Sequence, residues 1–402
     1  MLEFFFYTKS YYFSFKFAVY GNFTFYNQKT ILLTLKEKKY YSNFIIMDKK
    51  ISTLLLSLSI LCFYSCNQEH KNSNTTSKGK FTYFDYSNRD DQNTGGIKMI
   101  PITTPKGIFN VWTKRVGNNP KIKVLLLHGG PGGTHEFFEN FDGYLPKEEI
   151  EYIYYDQLDS YYSDKPNDST LWTIQHFVDE VEQVRKALKL NKDNFYLMGQ
   201  SWGGILAMEY ALKYQQNLKG LIISNMMASA PKYEKYAKEV LGPQLPPEVW
   251  KEISVIEAKG DYKNPRYSEL LMKYYYTQHV LRKPLKEWPE FINRALVHLN
   301  PRIYLYMQGY SEFGITGNAT LKNWDVSKRL KEISVPTLMI GGKYDTMDPK
   351  YMEWMSRQVQ QGRSLTLNSG HLVQFDDPKN YFNGLINFLK EVDSNQFKPD
   401  NK

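Results

Sequence analysis

Short apolar runs alternate with helical patterns over most of the chain, and this alternation limits the fold more than any other feature. The runs at 124–127 and 152–155 have the length and continuity of strands that are buried on both faces of a parallel sheet. Residues 172–190 then carry apolar side chains at helical spacing, and strand and helix patterns follow one another up to residue 224 and again from 335 to 392. This order predicts an α/β fold, a mostly parallel sheet with helices on both faces.

The alternation stops between residues 230 and 325. This segment is rich in Tyr, Lys and Glu, carries helical patterns and is interrupted by prolines. A helical insertion between two strands of a sheet is expected to form a cap over one edge of that sheet. The sheet domain is therefore predicted to consist of two stretches, 81–229 and 326–394.

The segment 47–65 has the organisation of a secretory signal. Lysines follow Met47, an apolar stretch of about a dozen residues comes next, and a small Ser65 precedes Cys66. The apolar stretch is shorter than the roughly 20 residues that span a bilayer. The cysteine after the small residue resembles a bacterial lipoprotein signal, in which that cysteine becomes the lipidated first residue. We therefore expect a lipid-anchored protein of the bacterial cell envelope (membrane or periplasm), and a plain signal peptide with an incidental cysteine is the alternative.

The segments on either side of this signal differ in composition. Residues 1–46 are dominated by Phe, Tyr and Lys without a period, and they are predicted to be a mis-assigned upstream extension or, alternatively, an extra membrane anchor. Residues 66–80 are rich in Asn, Ser, Thr and Lys, which predicts a flexible tether. The chain's two cysteines, Cys62 and Cys66, both lie in the signal region, so neither a disulfide framework nor a cysteine metal site is expected.

The formal net charge of +9 does not indicate a nucleic-acid partner. Residues 1–65 hold eight lysines against three acidic residues, which gives +5. The remaining 43 basic and 39 acidic residues give +4 and form no basic stripe of the kind that nucleic-acid binders use. We expect no nucleic acid among the partners.

The motif GQSWG at 199–203 stands between a predicted strand and a predicted helix. In a nucleophile elbow the serine occupies a tight, strained turn, and glycines two residues to either side let the strand and the helix approach each other. The motif therefore predicts that Ser201 is the nucleophile of a serine hydrolase of the α/β-hydrolase fold.

A glycine-rich loop, HGGPGG at 128–133, follows the first buried strand. Such a loop supplies an oxyanion hole, because the backbone itself must approach the developing negative charge and point N–H groups at it. We assign the two donors to the backbone N–H groups of Gly130 and Trp202. A phosphate-binding loop is disfavoured, since the Gly-Lys-Ser/Thr ending and the dinucleotide fingerprint are both missing.

Asp345 and His371 each follow a predicted strand late in the chain. The carboxyl ends of parallel strands lie together at one edge of the sheet, and the order Ser, acid, base fits the fold. We expect His371 to take the proton of Ser201 and return it to the leaving amine, while Asp345 holds the imidazole. Asp348 and Asp376 are nearby alternatives for the acid.

Several motifs together resemble the prolyl aminopeptidase (proline iminopeptidase) family of α/β-hydrolases. The resemblance is carried by HGGPG at 128–132, Asp156-Gln157 and GQSWGG at 199–204, and in the cap by NPRY at 264–267 and SEF at 311–313, which are similar to the tricorn-interacting aminopeptidase branch. It extends over residues 95–390. It implies a serine aminopeptidase that releases an N-terminal residue, often Pro, from short peptides with a free N terminus, without a metal or organic cofactor.

The resemblance also implies that carboxylates of the cap hold the amino group of the substrate. Glu312 is similar to one of them and Glu269 to a second, and a solvated charge on a helix surface is the alternative for each. A buried cation needs carboxylate partners. If the terminal amine is held at a fixed point, the bond after the first residue is the one that lies at the nucleophile. The segment LDSYYS at 158–163 departs from the glycine-rich stretch of the family, which leaves the residue preference open.

Two other classes of function remain to be distinguished. An esterase, amidase or lactonase would share the triad and differ only in its pocket. A non-catalytic binding lipoprotein would require the loss of the triad or of the glycine-rich loop, and the sequence keeps both. The seven histidines show no metal-ligand spacing, so no metal is expected.

Overall fold

The computed structural model describes residues 82–87 and 89–400. The predicted upstream extension, signal segment, tether and lipidated Cys66 lie outside these residues. Within the described part of the chain, no helix combines the length and the apolar character that crossing a membrane requires.

A twisted sheet of eight strands forms the centre of the described domain. Its strands are β1 (Ile97–Thr104), β2 (Gly107–Val116), β3 (Lys123–Leu127), β4 (Glu151–Asp156), β5 (Phe195–Gln200), β6 (Gly220–Ser224), β7 (Thr337–Gly342) and β8 (Gly362–Leu367). They lie in the order β1-β2-β4-β3-β5-β6-β7-β8. β2 pairs antiparallel with both β1 and β4, and every later neighbour pair is parallel.

Helices connect the strands and cover both faces of the sheet. The α-helices are α1 (Ile174–Ala187), α2 (Trp202–Tyr214), α3 (Ala230–Tyr236), α4 (Pro247–Ala258), α5 (Pro265–Leu270), α6 (Glu290–His298), α7 (Pro301–Met307), α8 (Pro349–Gln358), α9 (Val373–Asp376) and α10 (Pro378–Asp393). α3 continues through a π-helical turn, Ala237–Leu241, into the single turn Gly242–Gln244, and α5 continues as the π-helical segment Leu271–Val280. Short 3-10 segments lie at Gln92–Thr94, His135–Gly143, Leu145–Glu148, Ser169–Leu171, Gln215–Asn217, Leu285–Glu287 and Ser327–Glu332.

Successive residues of the central strands face opposite sides of the sheet. In β3, Leu125 and Leu127 belong to the buried cluster that includes residues of α1 and α2. Val124 and Leu126 belong to the cluster on the other side, with residues of α10. Each fully buried leucine contributes about 1.5–3 kcal/mol relative to an exposed one. The predicted continuous apolar runs therefore form strands that are buried on both faces, and the predicted α/β class is confirmed.

The helical insertion leaves the sheet domain after β6 and returns before β7. Ser229 and Asp325 form an antiparallel bridge at its two ends, and Val326 N–H donates to the carbonyl of Ala228 at 2.9 Å. Both ends of the insertion are thus fixed at one point. Its helices α3 to α7 form a cap whose residues line one cavity together with the carboxyl end of β5.

Candidate active site

Ser201 lies at the sharp turn between β5 and α2. Its backbone has φ 55° and ψ −125°, a conformation that non-glycine residues rarely adopt. Ser201 N–H donates to the carbonyl of Ser224 on the neighbouring strand β6 at 3.0 Å, and the Ser201 carbonyl accepts from Gly204 N–H across the turn at 2.7 Å. A Cβ atom added to Gly199 would lie 1.9 Å from the carbonyl oxygen of Gly203, so the crossing of strand and helix requires glycine there. The strained turn presents Ser201 at the end of the sheet.

Asp345 and His371 form a hydrogen-bonded pair at the ends of β7 and β8. His371 Nδ1 lies 2.7 Å from Asp345 Oδ1, and the Asp345 side chain is fully buried. Asn225 Nδ2 donates to the other oxygen at 2.6 Å, and the Thr346 hydroxyl (3.2 Å) and Met347 N–H (3.1 Å) donate to Oδ1. Since a carboxylate only accepts hydrogen bonds, it holds the His371 proton on Nδ1 and leaves Nε2 to accept a proton.

The glycine-rich loop lies directly against the serine. A Cβ atom added to Gly129 would lie 3.1 Å from the Cβ of Ser201. Gly130 has φ +116°, and a Cβ there would lie 2.6 Å from Gly133 N, so this position also requires glycine. In the described part of the chain, the backbone N–H groups of Gly130 and Trp202 donate to no other protein atom. Two donors beside the serine therefore remain available to a ligand oxygen.

Gln157 joins the glycine-rich loop to the elbow. Its side-chain oxygen accepts from the indole N–H of Trp202 at 2.8 Å, and its side-chain nitrogen donates to the carbonyl of His128 at 3.3 Å. His128 Nε2 in turn accepts from Gln157 N–H at 3.2 Å. These contacts fix the two segments that carry the free N–H groups relative to each other.

Ser201 and His371 open into a cavity of about 320 Å³ between the sheet and the cap. Apolar side chains make up much of its wall: Phe137, Ile205, Met226, Met227, Val280, Trp288, Ile292, Leu296, Leu299, Ile315, Met347 and Leu372. Among the described residues that line it, no lysine or arginine occurs and Glu312 is the one carboxylic acid. The cavity therefore combines the serine and histidine with an apolar wall and one acidic group.

Glu312 is held in the cavity by tyrosines of the cap. The Tyr304 hydroxyl donates to its Oε1 at 3.2 Å, and the Tyr233 hydroxyl donates to its backbone carbonyl at 2.8 Å. Burial raises the pKa of the Glu312 carboxyl, while hydrogen bonds from Tyr276 and Tyr304 and the charge of His371 act in the opposite direction. Burial also raises the pKa of both tyrosines well above 10, so they are neutral donors at neutral pH.

Comparison with known proteins agrees with this arrangement. Residues 123–378 match the alpha/beta hydrolase fold family. A protein of Elizabethkingia meningoseptica named proline iminopeptidase is 61% identical over 300 residues, which are 74% of this chain and 100% of the relative. The protein of the same name from Flavobacterium johnsoniae is 61% identical over 295 residues, 73% of this chain and 98% of the relative.

The chain belongs to the proline iminopeptidase family of α/β-hydrolases. The crystal structure of proline iminopeptidase from Mycobacterium smegmatis agrees with it at a TM-score of 0.67 and 27% identity, covering 74% of this chain and 99% of that one. The predicted fold and the predicted family are confirmed. The chain is accordingly an enzyme, a serine hydrolase of the peptidase type.

Glu269 does not reach the cavity of this proline iminopeptidase-family enzyme. It is the second of the two carboxylates that were expected to hold the substrate amine. It lies on α5 with 61% of its side chain exposed, and it forms an ion pair with Arg266 at 2.8 Å. Arg266 also pairs with Glu252 on α4, so the three side chains form a surface network. The structure therefore places Glu269 away from the predicted substrate site, because its helix turns this face toward solvent.

The two alternatives for the acid of this family member have other roles. Asp348 accepts from Lys350 N–H at 2.9 Å and caps α8. Asp376 accepts from Gly370 N–H at 2.8 Å and from Arg282 N–H at 2.9 Å. Asp345 is the carboxylate that the structure places against the imidazole of His371.

The segment that departs from the family pattern contacts the cap instead of filling the cavity. Tyr161 stacks on His298 of α6, with ring centres 4.0 Å apart, and on Tyr162 at 3.9 Å. Neither tyrosine is among the residues that line the cavity. The bulk of this segment therefore does not narrow the pocket of this enzyme.

Sequence reasoning did not identify Asn225, Thr346 or the tyrosines around Glu312. Asn225 directly follows β6, which lies next to β7, so its position at a strand end was a usable signal. Tyr276 and Tyr304 lie on different cap helices, and no local pattern relates them.

Within residues 82–87 and 89–400, no group of three His, Cys, Asp or Glu side chains could hold a metal ion.

Proposed function

We propose that the protein is a serine aminopeptidase that releases the N-terminal residue, proline in particular, from short peptides with a free N terminus. The observation that carries this proposal is the position of Glu312 in the same cavity as Ser201 and His371. An esterase or lactonase needs no buried acid at that place. The names of the relatives, which are 54–61% identical, support the preference for proline.

The first chemical step is attack by the serine on the peptide carbonyl carbon. Ser201 Oγ forms the new C–O bond while His371 Nε2 takes its proton, and Asp345 stabilises the imidazolium. The carbonyl oxygen becomes an oxyanion that accepts hydrogen bonds from the N–H groups of Gly130 and Trp202. Collapse of this intermediate breaks the C–N bond, and His371 delivers the proton to the leaving amine. Water then attacks the carbonyl carbon of the acyl-enzyme while His371 takes its proton. The ester C–O bond breaks, and His371 returns the proton to Ser201 Oγ.

Glu312 determines which bond is cut. A protonated terminal amine buried in an apolar cavity is costly without a counter-charge, and the Glu312 carboxylate supplies one. Tyr276 and Tyr304 donate to this carboxylate and so hold its oxygens toward the cavity. With the amine fixed at Glu312, the first peptide bond is the one that reaches Ser201, which limits cleavage to one residue.

A matched pair of variants tests the proposal. Glu312→Gln keeps the volume and an acceptor for Tyr304 but removes the charge, whereas Glu269→Gln makes the same change on the surface. We expect Glu312→Gln to lower kcat/KM for prolyl-naphthylamide by about 100-fold or more, since an unpaired buried charge costs about 3–5 kcal/mol. In Glu312→Gln the ratio of activity on prolyl-naphthylamide to activity on p-nitrophenyl acetate falls, because the ester has no amine for Glu312 to bind. Glu269→Gln leaves both activities unchanged. An equal loss on both substrates, or no loss, contradicts the role of Glu312.

We further infer that the enzyme is attached to the cell envelope through a lipid on Cys66. The support is the order of basic residues, apolar stretch, small residue and cysteine, followed by a polar tether before the catalytic domain. Labelling cells with an alkyne analogue of palmitate should mark the native protein and not a Cys66→Ser variant. Labelling of neither protein, with both in the soluble fraction, contradicts the anchor.

A further inference from the structure

The loop that carries His371 donates two backbone hydrogen bonds to the cap. His371 N–H donates to the carbonyl of His279 at 2.8 Å, and Leu372 N–H donates to the carbonyl of Val280, also at 2.8 Å. Both carbonyls stand at the end of the π-helical segment Leu271–Val280 of the cap. These bonds join the backbone of the predicted base directly to the insertion.

Asp376 adds a side-chain link between the same two segments. Its Oδ1 accepts from the backbone N–H of Arg282 in the cap at 2.9 Å. Its Oδ2 accepts from the N–H of Gly370, the residue before His371, at 2.8 Å. Oδ2 also accepts from the Arg282 N–H, at 3.2 Å. One carboxylate therefore spans the cap and the histidine loop, with both oxygens on the cap side and Oδ2 on the side of the histidine loop.

The same cap segment also contacts the loop of the acid. His279 Nδ1 lies 2.8 Å from the carbonyl oxygen of Tyr344, the residue before Asp345. Since a carbonyl oxygen only accepts, Nδ1 carries the proton. The guanidinium carbon of Arg282 lies 3.7 Å from the ring centre of Tyr344. Residues 279–282 thus contact the residues that immediately precede both Asp345 and His371.

We propose that Asp376 is a positioning residue, which holds His371 in register with Ser201 only while the cap segment 279–282 is docked. The inference rests on the proposed role of His371 as the general base. It follows that the cap does more than enclose the substrate: its docking completes the triad. Loosening this link changes the chemical step more than substrate binding, because Asp376 does not line the cavity.

Asp376→Asn breaks one side of the link and leaves the other. With the Asn oxygen in the place of Oδ1, the bond from Gly370 N–H is lost. With the oxygen in the place of Oδ2, the NH₂ group faces the Arg282 N–H as donor against donor, and the link to the cap is weakened. Asp376→Glu keeps two acceptor oxygens at a longer reach. Asp377→Asn is the matched control, since the side chain of that neighbouring aspartate binds Asn380 on an exposed surface, at 2.9 and 3.0 Å.

The experiment measures two rates for each variant. The first is the steady-state turnover of prolyl-naphthylamide, resolved into kcat and KM. The second is the rate at which a small alkyl fluorophosphonate modifies Ser201, followed by intact mass. In that reaction the Oγ–P bond forms, fluoride leaves and His371 takes the serine proton, so the rate reports on the Ser201–His371 pair without any role for Glu312.

We expect Asp376→Asn to lower both kcat and the phosphonylation rate by about 10- to 100-fold, the size typical of a small misplacement of a reacting group, with KM changed less than about threefold. Asp376→Glu recovers part of both rates, and Asp377→Asn matches the native enzyme. His279→Phe, which removes the contact to Tyr344 and keeps the ring, lowers both rates by several-fold and decides the matter if the Asp376 variants do not fold.

Native phosphonylation in Asp376→Asn with impaired peptide turnover would overturn the proposal, because the link would then shape only the substrate site. A lower Tm with both rates unchanged would overturn it as well. If instead the native enzyme is phosphonylated but hydrolyses no free-amine amide, the proposed function fails and the positioning role is still measured by the phosphonylation rates.

Discussion

Asn225 Nδ2 donates to Asp345 Oδ2 at 2.6 Å, on the side of the carboxylate opposite the histidine. The Asn225 side-chain oxygen accepts from the Ser224 hydroxyl at 2.6 Å, which fixes the direction of the amide. Both residues are fully buried. The orientation of Asp345, and with it that of His371, is therefore set from the end of the neighbouring strand β6.

We predict that Asn225→Gly lowers kcat about tenfold with little change in KM, because a hydrogen bond to a charged group contributes about 1.5–3 kcal/mol. Glycine is the suitable replacement, since residue 225 has φ 55°. Asn395→Gly is the control, as that asparagine has φ 57° on an exposed part of the chain. Steady-state kinetics on both variants checks this, and unchanged kcat in Asn225→Gly would show that Asp345 needs no second support.

The raised pKa of Glu312 predicts that the charged form of this side chain, which binds the substrate amine, destabilises the folded protein. The folded state holds the proton of the Glu312 carboxyl to a higher pH than the unfolded chain, in which the pKa has its ordinary value of 4.5. This protonation stabilises the folded state fully below pH 4.5, and the contribution is lost as pH rises through the folded pKa. Glu312→Gln should therefore raise Tm at pH 7, and the gain should disappear in acid. Native kcat/KM on free-amine substrates should fall as pH drops through the raised pKa. Calorimetry from pH 4 to 8 checks the first point, and a lower Tm of the variant at pH 7 would contradict it.

The cap is also held to the sheet domain through Glu136. Its buried carboxylate lies 2.5 Å from Arg294 Nε and 2.8 Å from His298 Nδ1, both on α6. We predict that Glu136→Gln lowers stability by about 1–2 kcal/mol, because a neutral amide weakens both hydrogen bonds that the buried carboxylate accepts, which is a Tm decrease of about 3–6 °C. Arg294 also pairs with Glu290, whose side chain is 76% exposed.

Glu290→Gln therefore serves as the control for this prediction. An exposed ion pair contributes about 0–1 kcal/mol, so its Tm should stay close to that of the native enzyme. Thermal unfolding of both variants makes the comparison. Equal Tm shifts in the two variants would mean that the buried ion pairs of Glu136 stabilise the protein no more than the exposed ion pair of Glu290.

The parts of the fold that follow from local patterns could be predicted from the sequence. Continuous apolar runs identify the strands that are buried on both faces, and the residues directly after them identify Ser201, Asp345 and His371. β1 has no counterpart among the predicted strands. It lies at the antiparallel edge, several of its side chains are exposed, and Pro101 interrupts it, so its pattern is weak.

The contacts of the cap could not be predicted in the same way. Helical spacing indicates an apolar face but does not say which face meets the cavity. The family resemblance that suggested Glu269 beside Glu312 carries no information on the orientation of its helix. The pairing of Glu269 with Arg266, three residues earlier on the helix, is a signal for a solvated position. The contacts between residues 279–282 and the segments around Asp345 and His371 join parts of the chain about 65 to 95 residues apart, and no local pattern encodes them.

The most direct test of the proposed aminopeptidase activity compares three substrates on the native enzyme and on Ser201→Ala. The substrates are prolyl-naphthylamide, its N-acetylated form and p-nitrophenyl acetate. We expect the native enzyme to cleave the free-amine amide far faster than the acetylated one, and Ser201→Ala to abolish this cleavage. Rapid hydrolysis of the ester with no turnover of the free-amine amide would contradict the aminopeptidase assignment.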